Sequence, residues 1–266
     1  MSVGRWAKRQ ETKQTFVADH NGQIIGFAEL ETTGHIDCFY THKDFQGQGV
    51  GTKLLDTIVA QAFQLAEVPD WQPRYNIAPT QTIPAIMATE KSDRHFKPLR
   101  WGLIPSWSKD PAIGVKMINA RSETVAEKPS FRSAFKRHRC LILADGFYEW
   151  CKQSGKKQPF YFQLQDGSPF AFAGLWERWQ ALEGDVLETC TILTTEANQL
   201  VAQVHDRMPV ILPTDRYDQW LDPTPQPSEP LQALLRPYDA DRMSAYPVSV
   251  SVNSPWNDVP ECVTPI

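Results

Sequence analysis

Three short stretches of this chain bring together groups that could handle a phosphate, a proton and an electrophilic carbon. In Asn119-Ala120-Arg121 an amide and a guanidinium stand two residues apart. On extended backbone both face one side, and an amide donor beside a guanidinium suits a phosphate or sugar oxygen. The same tripeptide also fits a turn closed by a structural ion pair. Glu149 lies between Tyr148 and Trp150. It is either the exposed partner of its alternating neighbours or a carboxyl whose pKa aromatic packing raises, which would fit it for proton transfer. His205 is followed by Asp206. A solitary histidine is more often a hydrogen-bonded structural residue than a catalyst. Asp206 could fix its tautomer, but neighbours on a strand point oppositely, so no dyad is expected. Trp101 has two readings, an indole stacked on an exposed base or a core side chain. Upstream, Gln46-Gly47-Gln48-Gly49-Val50-Gly51 is a glycine-rich turn. At a helix N-terminus, its free N–H groups and the helix dipole would suit a pyrophosphate.

These groups fall on two unlike pieces of chain. Residues 15–65 read as strand, turn, strand, strand, helix. Apolar runs at 15–18 and 24–28 flank Asn21-Gly22, a hairpin signal because both residues accept positive φ. A third strand is expected at 36–40. Leu54, Leu55, Ile58, Val59, Ala62 and Phe63 then form one apolar helix face. From residue 71 the pattern changes to many short β-branched and aromatic runs broken by Pro and Gly, among them 140–143, 160–164 and 189–194. Helices are expected only at 130–136, 214–220 and 231–235. The class is therefore α+β and mostly β, a β-rich sandwich or barrel-like body with peripheral helices.

Composition narrows the partners. With 41% hydrophobic and 22% charged residues, the chain reads as soluble and globular. No apolar run is long enough to span a membrane, and Arg5, Lys8 and Arg9 are followed by no apolar stretch of a secretory signal. Five scattered cysteines, Cys38, Cys140, Cys151, Cys190 and Cys262, lack metal-ligand spacing. They fit a reducing cytoplasm, and no metal is expected. A net charge of −4 argues against a surface that grips DNA all round. Residues 129–160 nevertheless hold seven cations (Arg132, Lys136, Arg137, Arg139, Lys152, Lys156, Lys157) against two acids, Asp145 and Glu149. Such a run is either a solvated face or, placed around Glu149, a nucleic-acid surface.

Six motifs in order carry a resemblance. They are Arg74-Tyr75-Asn76-Ile77-Ala78-Pro79, Trp101-Gly102-Leu103-Ile104-Pro105, Asn119-Ala120-Arg121-Ser122-Glu123-Thr124, Ala144-Asp145-Gly146-Phe147-Tyr148-Glu149-Trp150, Ile192-Leu193-Thr194 and His205-Asp206-Arg207-Met208-Pro209. Together, residues 71–266 resemble the SRAP family, the SOS-response-associated peptidases that sense abasic sites in single-stranded DNA. The resemblance implies a β-rich fold, single-stranded or gapped DNA bearing an abasic site as partner, and autopeptidase and lyase character in the DNA damage response. It casts Asn119, Glu149 and His205 as catalytic, and Arg74, Asn76, Trp101, Arg121, Glu123 and Thr194 as DNA contacts. Members begin Met-Cys-Gly-Arg, and that cysteine's α-amine and thiol close a thiazolidine on the open abasic aldehyde. A free α-amine, with a pKa near ~8, is partly neutral where lysine is not. This chain reads Met1-Ser2-Val3-Gly4-Arg5, so the covalent step is expected to be lost. Residues 15–65 resemble part of a GNAT-type N-acetyltransferase, which implies an acetyl-CoA loop at Gln46, Gly47, Gly49 and Gly51. The expected organisation is a partial GNAT-like segment at 1–65, a linker at 66–70 and the SRAP-like body at 71–266. The rival readings are a CoA-binding acetyltransferase working through 15–65 and an inactive fusion of both pieces.

Overall fold

The computed structural model describes residues 2–6, 13–31, 36–46, 50–65, 71–89, 93–153, 155–181 and 184–266. The chain divides into two compact units, Met1–Trp71 with Asp166–Pro169, and Gln72–Gln165 with Phe170–Ile266. Gly47 and Gly49 of the expected acetyl-CoA loop, and the expected linker at 66–70, lie outside the described residues.

The N-terminal unit is a four-stranded antiparallel sheet in the order β1 (Ser2–Trp6), β2 (Lys13–His20), β3 (Gln23–Glu31), β4 (Ile36–Thr41), with helix α1 (Val50–Ala62). The β2–β3 turn forms because Asn21 (φ 54°) and Gly22 (φ 85°) both take left-handed backbone, and Gly22 N–H donates to Asp19 Oδ1 at 3.0 Å. Val50, Leu54 and Ile58 of α1 bury themselves on Phe16, Ala18, Ile25, Ala28 and Leu30, as the helical spacing predicts. Three strands were expected, and β1 makes a fourth. Its Val3-Gly4-Arg5-Trp6 shows no apolar alternation, so only its pairing with β2, from Ser2 opposite Asp19 to Trp6 opposite Thr15, reveals it. Gln46 is exposed, and Gly51 lies in the first turn of α1.

The larger unit is mostly strand. Its main sheet contains β5 (Thr82–Ala88), β6 (Arg94–Trp101), β7 (Asn119–Arg121), β8 (Arg139–Ala144), β11 (Phe170–Gln180), β12 (Val186–Glu196), β13 (Arg207–Pro209) and β14 (Ile211–Leu212). Because β12 pairs with both β6 and β11, the path β12-β6-β5-β8-β11 returns to β12 and closes a barrel, which removes the open edges of a flat sheet. A second sheet, β15-β10-β9, comprises β9 (Phe147–Gln153), β10 (Lys156–Leu164) and β15 (Met243–Pro247). Phe147 and Phe162 from this sheet join Leu99, Ile142, Phe172 and Ile192 in the principal core.

The expected peripheral helices are present at shifted bounds, α2 (Arg132–Arg137), α3 (Tyr217–Leu221) and α4 (Ser228–Gln232), with a 3-10 turn (Thr214–Arg216) opening α3. Among the described residues, no helix is long and apolar enough to cross a membrane.

Candidate functional site

Strand β12 is the spine of the site. On one side it pairs in parallel with β7, setting Ile192 beside Asn119 and Thr194 beside Arg121. On the other it pairs antiparallel with β13, setting Thr194 beside Pro209 and Glu196 beside Arg207. Alternation on β7 buries Ala120 and exposes Asn119 and Arg121 on the same side. Asn119 opens this short strand, just after a 3-10 turn (Pro111–Lys116) and a bend at Ile118.

Glu149 is placed by its neighbours. On β9 its side chain takes the face that carries Phe147, while Tyr148 and Trp150 take the other and pack against a small cluster of Tyr161, Val248, Val252 and Cys262. Tyr148 Oη donates to the carbonyl of Tyr75 at 2.7 Å, and Trp150 Nε1 donates to Asn253 Oδ1 at 2.7 Å. Burial pushes the Glu149 carboxyl above its ordinary pKa; His205 opposes the shift and Asp206 adds to it. The raised carboxyl expected from the sequence is present, with burial as its cause.

His205 lies in the bend before β13, and there the expectation about Asp206 fails. Off a regular strand, neighbouring side chains need not diverge, and Asp206 Oδ1 comes within 3.3 Å of His205 Nδ1. The same nitrogen is 3.1 Å from the Arg207 carbonyl and 3.0 Å from the Arg207 N–H. The Arg207 N–H donates to Nδ1, so Nδ1 is the accepting nitrogen and the neutral ring carries its proton on Nε2.

These groups meet. Asn119, Arg121, Glu149, Thr194 and His205 line one cleft of about 240 Å³, together with Arg207, Met208 and Pro209. All five were expected from the sequence to share a site. Arg207 was not. It belongs to the His205-Asp206-Arg207-Met208-Pro209 motif, and that membership was the available signal. Its Nη1 and Nη2 donate to both Glu123 oxygens, at 2.7 and 3.0 Å, and Nη2 also donates to the Thr194 carbonyl at 2.7 Å. Such a bidentate fork fixes a guanidinium's orientation. Its hydrogen bonds hold the Glu123 carboxyl below the usual range. Arg121, by contrast, has no carboxylate partner among the described residues.

Four expected DNA contacts are placed elsewhere. Glu123 faces Arg207 and does not line the cleft. Asn76 is buried, and its Nδ2 is shared among the carbonyls of Val252, Ser254 and Asn257 at 3.1, 3.1 and 3.0 Å. Arg74 pairs with Asp258, which also accepts from the N–H groups of Tyr75 and Asn76 at 2.6 and 3.0 Å. Trp101 donates its indole N–H to the Ile118 carbonyl at 2.8 Å. Each spends its polar groups on fastening chain to chain. The basic stretch splits likewise. Arg139 is 3% exposed and donates to the carbonyls of Trp220, Phe135 and Asp222. Arg132, Lys136 and Arg137 are exposed on α2, and none of the described cations of that stretch lines the cleft. Among the described residues, no group of three or more His, Cys, Asp or Glu could hold a metal.

Comparison with known proteins agrees with this architecture. The chain is 51% identical to the abasic site processing protein YoqW of Bacillus subtilis (strain 168), over 73% of this chain and 87% of that protein. It is 35% identical to the abasic site processing protein HMCES of Gallus gallus, over 74% of this chain and 69% of that protein. A crystal structure of a protein from Bordetella bronchiseptica matches with a TM-score of 0.64 at 32% identity, covering 73% of this chain and 96% of that one. Residues 2–68 match an acetyltransferase (GNAT) domain. Residues 47–255 match the SOS response associated peptidase (SRAP), and with that span and those relatives the chain belongs to the SRAP family.

Proposed function

We propose that this protein recognises and processes abasic sites in single-stranded or gapped DNA at the cleft on β12. The carrying observation is the convergence of Asn119, Arg121, Glu149, Thr194 and His205 on one small cavity. Arg121 and Asn119 supply the donors that a phosphate beside the lesion needs. An opened abasic sugar is an aldehyde, and a primary amine of the chain adds to it with loss of water to form an imine. A carboxyl with a raised pKa is suited to move protons in that addition, at Glu149. The Nε2–H of His205 is suited to protonate the ring oxygen as the sugar opens; loss of a C2′ proton from the imine to water then releases the 3′ phosphate and the strand is cut.

A durable link is a different matter. A thiazolidine needs an α-amine and a thiol on one residue, and the internal cysteines cannot offer both. Cys140, Cys190 and Cys262 are also buried. The activity we propose is therefore reversible capture with slow, lyase-type cleavage through a transient imine. The test is incubation with a single strand carrying one abasic site and with the same strand undamaged, with and without borohydride. Preferential binding of the damaged strand and a borohydride-dependent adduct support the reading; equal binding of both strands without an adduct defeats it.

A further inference from the structure

The carbonyl of Ile118 shares a rigid peptide unit with the N–H of Asn119, and two donors hold it. One is the Ile192 N–H at 3.1 Å, from β12. The other is the indole N–H of Trp101 at 2.8 Å, from the end of β6. Neighbouring bonds run the same way: Gly102 N–H to the Cys190 carbonyl at 2.8 Å and Leu103 N–H to the Met117 carbonyl at 3.1 Å. The close passage is possible because Gly102 has φ +129° and lies flush on Gly114, where a Cβ would stand 2.7 Å from the Gly114 oxygen. Trp101 is itself tied down, its N–H donating to Gln81 at 2.9 Å and its carbonyl accepting from Thr80 at 2.8 Å. Its ring is half-buried against the barrel core and is absent from the cleft lining.

We infer that Trp101 is a positioning residue for the cleft: its indole N–H sets the Ile118–Asn119 peptide and so aims Asn119 and Arg121. A three-residue strand such as β7 has little pairing of its own to hold its first residue, so an outside donor at its entrance matters. The functional consequence rests on the proposed reading of the cleft; the positioning itself does not.

The test uses the full chain with Trp101→Phe, which keeps a ring in the core and deletes the N–H. If the variant does not fold, 3-benzothienylalanine at position 101 keeps the bicyclic shape without the donor. Two readouts are taken. In hydrogen exchange, the Ile192 amide and residues 118–121 should exchange faster while the rest of the barrel is unchanged. In binding, affinity for the abasic strand should fall about five-fold, the worth of one hydrogen bond. In an Asn119→Ala/Arg121→Ala background the same change should cost less than about two-fold, because the effect passes through those two residues. Unchanged exchange overturns the inference. So does a binding loss of equal size in both backgrounds, the result expected if the indole stacked on a base. Should the parent chain fail to prefer abasic DNA, the reading of the cleft falls, and the exchange result alone decides the role of Trp101.

Discussion

The two units of this chain hold their candidate chemistry in opposite ways. In the N-terminal unit every candidate ligand group, Gln46 to Gly51, falls within six consecutive residues of the sequence. In the larger unit the groups come from β7, β9, β12 and the bend before β13, and they meet because β7 and β13 flank β12 and the second sheet brings Glu149 of β9 to the same cleft. A contiguous motif can be carried on any strand-to-helix junction, and it says little about what surrounds it. A cleft assembled from distant strands needs fasteners, which explains why Arg74, Asn76, Trp101 and Glu123 spend their polar groups inside the protein.

That contrast breaks first if the cleft residues do not act together. Glu149→Gln and His205→Ala should each slow cleavage of an abasic strand by about 100-fold or more, the usual worth of a positioned acid or base, with binding little changed in single-turnover assays. Glu149→Gln has a second signature. Burial raises this carboxyl's pKa in the folded state, so the folded protein holds its proton more tightly than the unfolded chain. Stability is then lost as pH rises from the usual carboxylate range through the raised value. The Gln variant should therefore melt higher than the parent at neutral pH and lose that advantage in acid.

Arg121→Ala comes next. It should weaken abasic-strand binding about ten-fold and lower the salt slope by about 0.7, the share of one phosphate contact on a single strand. A loss with no change in slope would mean that Arg121 does not meet a phosphate.

Smaller still is Glu123→Gln. Arg207 holds the Glu123 carboxyl below its ordinary range, so the pair's contribution is complete above the unfolded pKa and lost as pH falls through the folded one. The carboxylate is half exposed, and solvent screening limits the loss to about 1 kcal/mol or less. Thermal melts of parent and variant should differ at neutral pH and converge in acid.

Legibility followed the same division. Alternation and turn residues made the β-rich body, the Asn21-Gly22 hairpin and α1 readable, because each is written in local spacing. The site was readable only through ordered motifs, since nothing local says that Asn119 and His205 meet on β12. Sequence could not separate contact from fastener. Asn76 and Asn119 are the same residue type, but one is sealed under carbonyls of the C-terminal segment and the other is exposed on β7. Asp206 escaped for a similar reason: its approach to His205 depends on a bend that no apolar pattern marks. β1 escaped because it pairs without alternation.

The smallest expected effect belongs to the N-terminal unit. Acetyl-CoA at millimolar concentration should shift the melting temperature by less than about 1 °C. A shift of several degrees would place a ligand site in this unit too and erase the contrast between the two.

The most direct measurement compares the full chain on two otherwise identical single strands, one with an abasic site, followed by denaturing electrophoresis with and without borohydride. The account predicts at least about ten-fold tighter binding of the abasic strand, about 1.4 kcal/mol. It also predicts a covalent adduct with that strand only when borohydride is present. Equal affinity for both strands without a trapped adduct would contradict the assignment of the cleft, and a heat-stable adduct formed without borohydride would contradict the transient imine.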